Sequence, residues 1–119
     1  MEEQAGISTG PVVEIRSYTL RPGTRERFDA LMIGQGLPLL KRWNIEVVAV
    51  GPSLHDETSY CLIRAFASLA DLERSEEAFY SSEEWRQGAR EAILACIERH
   101  TDVVLPVDAE MLVALQQRR

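Results

Sequence analysis

Residues 12–23 read V-V-E-I-R-S-Y-T-L-R-P-G, an alternating run that stops at a Pro-Gly turn and passes at once into a helical pattern. Side chains alternate across a strand, so Val13, Ile15, Ser17 and Thr19 share one face and Glu14, Arg16 and Tyr18 the other. One face belongs in a core. The other carries charge, and that charge must meet water, a partner or a ligand.

The rest of the chain repeats the strand–helix theme. Thr24 stands where a helix cap is wanted, and Phe28, Leu31, Met32 and Gln35 recur at helical spacing behind it. Gly34, Gly36 and Pro38 disturb that helix and predict a kink or break, then a short helical piece through Leu39, Leu40 and Trp43. Ile45–Val50 reads as a second strand, residues 51–59 as a loop, and Tyr60–Ala67 as a third strand. That third run is apolar apart from Arg64, the pattern of a central strand covered on both faces. Ser68 with Asp71 predicts a helix start, with Leu69, Leu72 and Phe79 as the buried stripe. Ser81 with Glu84 predicts a second capping box, ahead of Trp85, Ala89, Ala92, Ile93, Cys96 and Ile97 on one helical face. Residues 99–105 alternate as a last strand that ends at Pro106. Residues 108–116 suggest a terminal helix with Met111, Leu112 and Leu115 as its apolar face.

The order β-α-β-β-α-β predicts an α+β, ferredoxin-like domain with an antiparallel sheet. Right-handed crossovers give strand order 4-1-3-2. With 119 residues there is room for one domain, read as a flexible leader over 1–11, the folded unit over 12–106 and a helical tail over 107–119.

If the helices cover the face of Val13, Ile15, Val103 and Leu105, the opposite face gathers Glu14, Arg16 and Tyr18 with His100 and Asp102, joined by Arg64 and Tyr60. Such a face also exposes Leu62, Phe66, Val48 and Val50, which predicts a homodimer formed by packing two sheets face to face. Glu14, Arg16 and Asp102 would then pair across the dimer interface. The same groups admit a functional reading, a polar pocket in which Arg64 or Arg16 grips an anion and His100 moves protons, with Arg64, Tyr18 and His100 serving anchoring and proton transfer. Trp43, Tyr60, Tyr80 and Trp85 either pack as core or line a ligand pocket between helices and sheet. The His55–Asp56 pair is either a solvated turn or an oriented general base.

Several classes are disfavoured. The net charge of −6 argues against a nucleic-acid partner. No run approaches the ~20 apolar residues of a membrane span. The acidic leader is neither a secretory signal nor an Arg-rich transit peptide, so a cytoplasmic location is expected. Cys61, Cys96, His55 and His100 stand singly, without metal spacing, and read as buried free thiols and scattered imidazoles. With no glycine-rich phosphate loop and no nucleophile elbow, neither a cofactor nor a metal is expected.

Residues 14–23, E-I-R-S-Y-T-L-R-P-G, resemble the opening signature of the NIPSNAP family. G-L-P-L-L-K-R-W at 36–43, S-Y-C-L-I-R-A-F at 59–66 and F-Y-S-S-E-E-W-R-Q-G at 79–88 are similar to later motifs of the same family, in order. The resemblance implies a dimeric α/β barrel made of two ferredoxin-like sheets. Animal members are associated with mitochondria and protein interactions, a role the leader here does not match. The wider barrel group includes cofactor-independent monooxygenases and isomerases, a link of fold alone. Three functions stand as expectations: binding of a small, partly apolar molecule, cofactor-independent oxygenation or isomerisation, or a non-enzymatic interaction module.

Overall fold

A computed structural model describes residues 10–117; most of the expected leader therefore lies outside the described residues. Strand β1 (Val12–Leu20) is central and antiparallel to both of its neighbours, β3 (Ser59–Phe66) and β4 (Ile97–Pro106). β2 (Glu46–Pro52) closes the other edge, giving the order β2-β3-β1-β4. This is the expected 4-1-3-2 sheet, and the chain is α+β and ferredoxin-like. A bulge at Val48 shifts the β2–β3 register.

The helices form where the apolar spacing places them, with local differences. Gly23 turns the chain out of β1 at φ +82°, a conformation open to glycine. Thr24 does not cap by accepting a hydrogen bond; its hydroxyl donates to the Arg21 carbonyl at 2.7 Å. α1 (Arg25–Leu31) does not break at the glycines. It widens into one π-helical turn, Met32–Gly36, and continues as α2 (Leu37–Arg42). The wide turn takes up the disturbance that Pro38 and the two glycines create.

α3 (Leu69–Tyr80) starts as expected, with the Asp71 amide donating to the Ser68 hydroxyl oxygen at 3.0 Å. The next cap is Ser82 rather than Ser81: the Trp85 amide donates to Ser82 Oγ, while Ser81 Oγ donates back to the Glu77 carbonyl. The amphipathic run from Trp85 is also two helices, α4 (Glu83–Gln87) and α5 (Arg90–Cys96), parted at Gly88. A Cβ at Gly88 would sit 2.5 Å from the Glu84 carbonyl oxygen. α6 (Ala109–Gln117) ends the fold.

The larger correction concerns the faces of the sheet. The helices cover the side of Val12, Tyr18 and Leu20 on β1 and of Tyr60, Leu62 and Phe66 on β3, packed with Phe28, Met32, Leu40, Phe79 and Ile93. Glu14 and Arg64 lie on this side too, at 2% and 0% exposure. Val13 and Ala65 face the other way, with Val48, under Leu112 and Leu115 of α6. Val103 and Leu105 are left open on β4. The polar residues can be buried because they satisfy one another, and Val12, Leu20 and the Tyr18 ring supply the apolar area on either side of them.

Candidate functional site

The charged residues of β1 converge under α3. Strand register sets Glu14 opposite Arg64 and Arg16 opposite Asp102. Helical spacing sets Leu72, Glu76 and Tyr80 in one row on α3, each four residues on from the last. Arg64 Nε donates to Glu14 Oε1 at 2.8 Å, and Nη2 reaches the same oxygen at 2.6 Å. Nη2 also pairs with Glu76 Oε2 at 2.9 Å, and Nη1 donates to Tyr80 Oη at 2.8 Å. Arg16 grips Asp102 with both prongs, Nε to Oδ1 at 2.7 Å and Nη2 to Oδ2 at 3.1 Å. Its Nη1 donates to Tyr80 Oη at 3.3 Å. Both guanidinium groups therefore end on one phenol oxygen.

The charge balance of this cluster decides where a proton sits. Arg16 and Arg64 face three carboxylates, Glu14, Glu76 and Asp102, so the fully ionised cluster has one negative charge too many. Burial raises the Glu76 carboxyl, a hydrogen bond with Glu14 and its charge raise it further, and Arg64 only partly opposes them; it is pushed up to about 8. One proton on Glu76 neutralises the cluster, which is the stable state for charge taken out of water. Tyr18, buried, is pushed up to about 12, mainly by desolvation, so it stays a neutral phenol.

Three spaces meet at Tyr80. Inside, Tyr18, Arg64, Tyr80 and Trp85 border a void of about 30 Å³ together with Met32 and Gly36 of the π turn. Outside, Leu72, Glu73, Glu76, Glu77, Tyr80 and Ser81 line an open cleft of about 550 Å³. On its other side, Tyr80 borders a polar recess with Glu83, Arg86, Gln87 and Arg90. Phe79, Tyr80 and Trp85 stack edge-on or tilted with centroids 4.8–5.5 Å apart and form the wall between them.

Against the expectations from sequence, Arg64 and Tyr18 enter this cluster. His100 stands at its rim on β4, half-exposed, its Nε2 4.0 Å from Asp102 Oδ2. Glu14, Arg16 and Asp102 do pair as an ion lattice, but Glu14 and Arg16 do so within one chain, beneath the helices, and not across the open sheet face. Tyr80 and Trp85 border the inner void. Trp43 stands off from it, clamped by Nε1 to Glu84 Oε1 at 2.8 Å. Tyr60 is buried on the far side of Phe28 and donates its hydroxyl to Asp29. Asp56 accepts from the Thr58 and Ser59 amides and from the Ser59 hydroxyl, which closes its own loop rather than orienting His55. Sequence reasoning misses Glu76. Its signal is a glutamate on the inward stripe of α3, between Leu72 and Phe79.

Among the described residues no group of His, Cys, Asp and Glu could hold a metal ion, and no helix is long and apolar enough to cross a membrane. The fold is similar to that of a NIPSNAP-like domain protein from Burkholderia xenovorans, with a TM-score of 0.77 and 18% identity over 85% of this chain and 88% of that one. A NIPSNAP family protein of unknown function from Agrobacterium tumefaciens aligns with a TM-score of 0.75 and 21% identity, over 84% and 90% of the two chains. A proposed antibiotic biosynthesis monooxygenase from Caulobacter crescentus aligns with a TM-score of 0.68 and 11% identity, over 90% and 98%. At such identities these likenesses are of fold. No curated protein matches the sequence. The NIPSNAP family model, however, matches residues 13–108, the span that holds nearly all of the four strands and every residue of the Arg64 cluster, and on that match the chain belongs to the NIPSNAP family.

Proposed function

We propose that this protein binds a small, partly apolar molecule in the cleft backed by Glu76 and Tyr80, and that it does so as a homodimer paired through the open sheet face. The observation that carries the binding reading is Arg64. It is wholly buried, and it is held by Glu14 and by Glu76 and Tyr80, two of the residues that line the outer cleft. Hydrophobic residues of similar volume fill a core at least as stably as buried ions, and buried charge beside a cleft is the mark of a working site.

Volume favours the outer cleft over the inner void. About 30 Å³ holds one water, whereas ligand sites span roughly 300–1,000 Å³ and the cleft offers about 550 Å³. Leu72 and the Tyr80 ring supply its apolar part. Movement of Tyr80 would join the cleft to the inner void between sheet and helices.

A thermal-shift screen of carboxylates, quinones, phenols and neutral ketones tests the binding reading. Neutral, partly apolar members should raise Tm more than the carboxylates, and Glu77→Trp, a bulky change at an exposed lining position, should cancel the rise. A screen in which no compound shifts Tm overturns it.

A further inference from the structure

We propose that Glu76 is an acid–base group that, with the Tyr80 hydroxyl beside it, moves a proton to and from the carbon next to the carbonyl of a neutral ketone. The inference rests on the binding reading above and assigns chemistry to the same cleft.

The first support is the pairing of carboxyls. Glu14 and Glu76 both lie on Arg64 Nη2, at 2.6 and 2.9 Å, so the two carboxyls share one guanidinium nitrogen. Their positions differ in kind: Glu14 is 2% exposed, while Glu76 keeps 16% of its side chain open and lines the cleft. A proton held by the pair thus has one way out, through Glu76. The groups facing Glu76 are Glu14 and Arg16 of β1, Arg64 of β3, and Glu73, Glu77 and Tyr80 of its own helix, with Asp102 of β4 behind Arg16. Such a carboxyl binds its proton more tightly than a solvated one, and a proton affinity near the working pH is what general acid–base transfer needs.

The second support is Tyr80. Its oxygen accepts from Arg64 Nη1 and Arg16 Nη1, so both acceptor positions are used and its own O–H remains to donate. Glu76 and Tyr80 are four residues apart on one helix face, side by side in the cleft. A proton acceptor next to an O–H donor is the arrangement for enolisation.

The step balances without an oxidant or cofactor. The Glu76 carboxylate takes a proton from the α-carbon, and the C–H electron pair becomes the carbon–carbon π bond. The carbonyl π pair moves onto oxygen, where the Tyr80 O–H donates a hydrogen bond to the enolate, and two guanidinium groups polarise that O–H. Once the proton on Glu76 has exchanged with solvent, delivery of the new one to the same carbon gives hydrogen exchange; in a β,γ-unsaturated ketone, delivery to the γ-carbon of the dienolate gives isomerisation. A neutral substrate is required, because Glu73 and Glu77 flank the mouth and repel anions.

Phenylacetone is a suitable probe, with an aryl ring for the apolar part of the cleft and an exchangeable benzylic position. Binding is read from NMR shifts, and chemistry from benzylic hydrogen–deuterium exchange in D2O. Wild-type protein should bind the ketone and accelerate exchange, with a rate that climbs through pH about 8 as Glu76 ionises. Glu76→Gln should lose on the order of a hundredfold in rate while still binding and folding, the latter checked by its circular dichroism melt. Tyr80→Phe should slow exchange with little change in affinity. Glu14→Gln, a positioning change, should move the pH midpoint down, because it removes the neighbour that raises Glu76. Binding without acceleration, or unchanged exchange in Glu76→Gln, overturns the proton-transfer inference and leaves the binding reading standing. Neither binding nor acceleration overturns both.

Discussion

Arg64 has no solvent to turn to, so whatever removes its charge strands Glu14. Replacing it with methionine keeps the volume but leaves a carboxylate at 2% exposure facing an apolar neighbour. Breaking one side of a buried pair costs about 3–5 kcal/mol; Arg64→Met should therefore lower the unfolding free energy by that amount in urea titrations, with only a secondary effect on oligomeric state. Glu76 makes a prediction about pH. Its native carboxyl, raised to about 8, binds a proton that the unfolded chain releases in the ordinary glutamate range. The native state then holds more protons across that window, so stability falls as pH rises. The contribution is complete below the ordinary glutamate range and gone above about pH 8. Denaturation midpoints measured between those limits should slope downward in the wild type and flatten in Glu76→Gln. The site is legible in the sequence in part. Alternation puts Glu14, Arg16 and Tyr18 on one face, and Arg64 stands out in an apolar strand. Which face the helices cover depends on the summed area of both faces, and Val12, Leu20, Tyr60 and Leu62 outweigh the charges. No single strand's pattern carries that sum.

At the scale of elements, order and spacing suffice for the strands and most helices, because periods of two and of 3.6 are local properties. Joints are less legible. Two adjacent serines, Ser81 and Ser82, can each cap the next helix, and the choice depends on where α3 stops: Ser81 donates to Glu77 and ends that helix, which leaves Ser82 to begin the next. Ser82→Ala should cost about 1 kcal/mol of stability, and Ser81→Ala distinctly less, as measured by paired thermal melts. At Met32–Gly36 the sequence points to a break, because Pro38 and two glycines oppose an α-helix. A π turn answers the same opposition without ending the helix. It also brings Gly36 against the inner void, where a Cβ would press on Met32 Sδ at 3.0 Å.

The whole molecule has an uncovered side. Val103 and Leu105 are 51% and 43% exposed on β4, beside Ile15 and Ile63 on the face that α6 only half covers. β4 is an edge strand of ten residues with little burial along its length, a form that globular proteins usually protect. The proposed pairing of two such faces predicts that Val103→Lys, at a position without buried contacts of its own, yields a monomer by light scattering at micromolar concentration with the fold intact. A wild-type monomer under the same conditions would remove the homodimer from the proposal. Sequence pattern alone assigns that pairing to the other face, since it puts the charges outside and the aliphatic side chains within.

The place of β1 at the centre of the sheet also governs how this chain can come to exist. Val12 pairs with Phe66 on one side and with Pro106 on the other, so the domain's first strand is completed by its last. Glu14 meets Arg64 only when the third strand arrives, and Arg16 meets Asp102 later still. Until those strands exist, these acids and bases lack their cross-strand partners and remain in water, where charge is stable. Contacts between such distant residues slow folding. Here they also delay the expulsion of water from the charged cluster until nearly the whole domain has been synthesised.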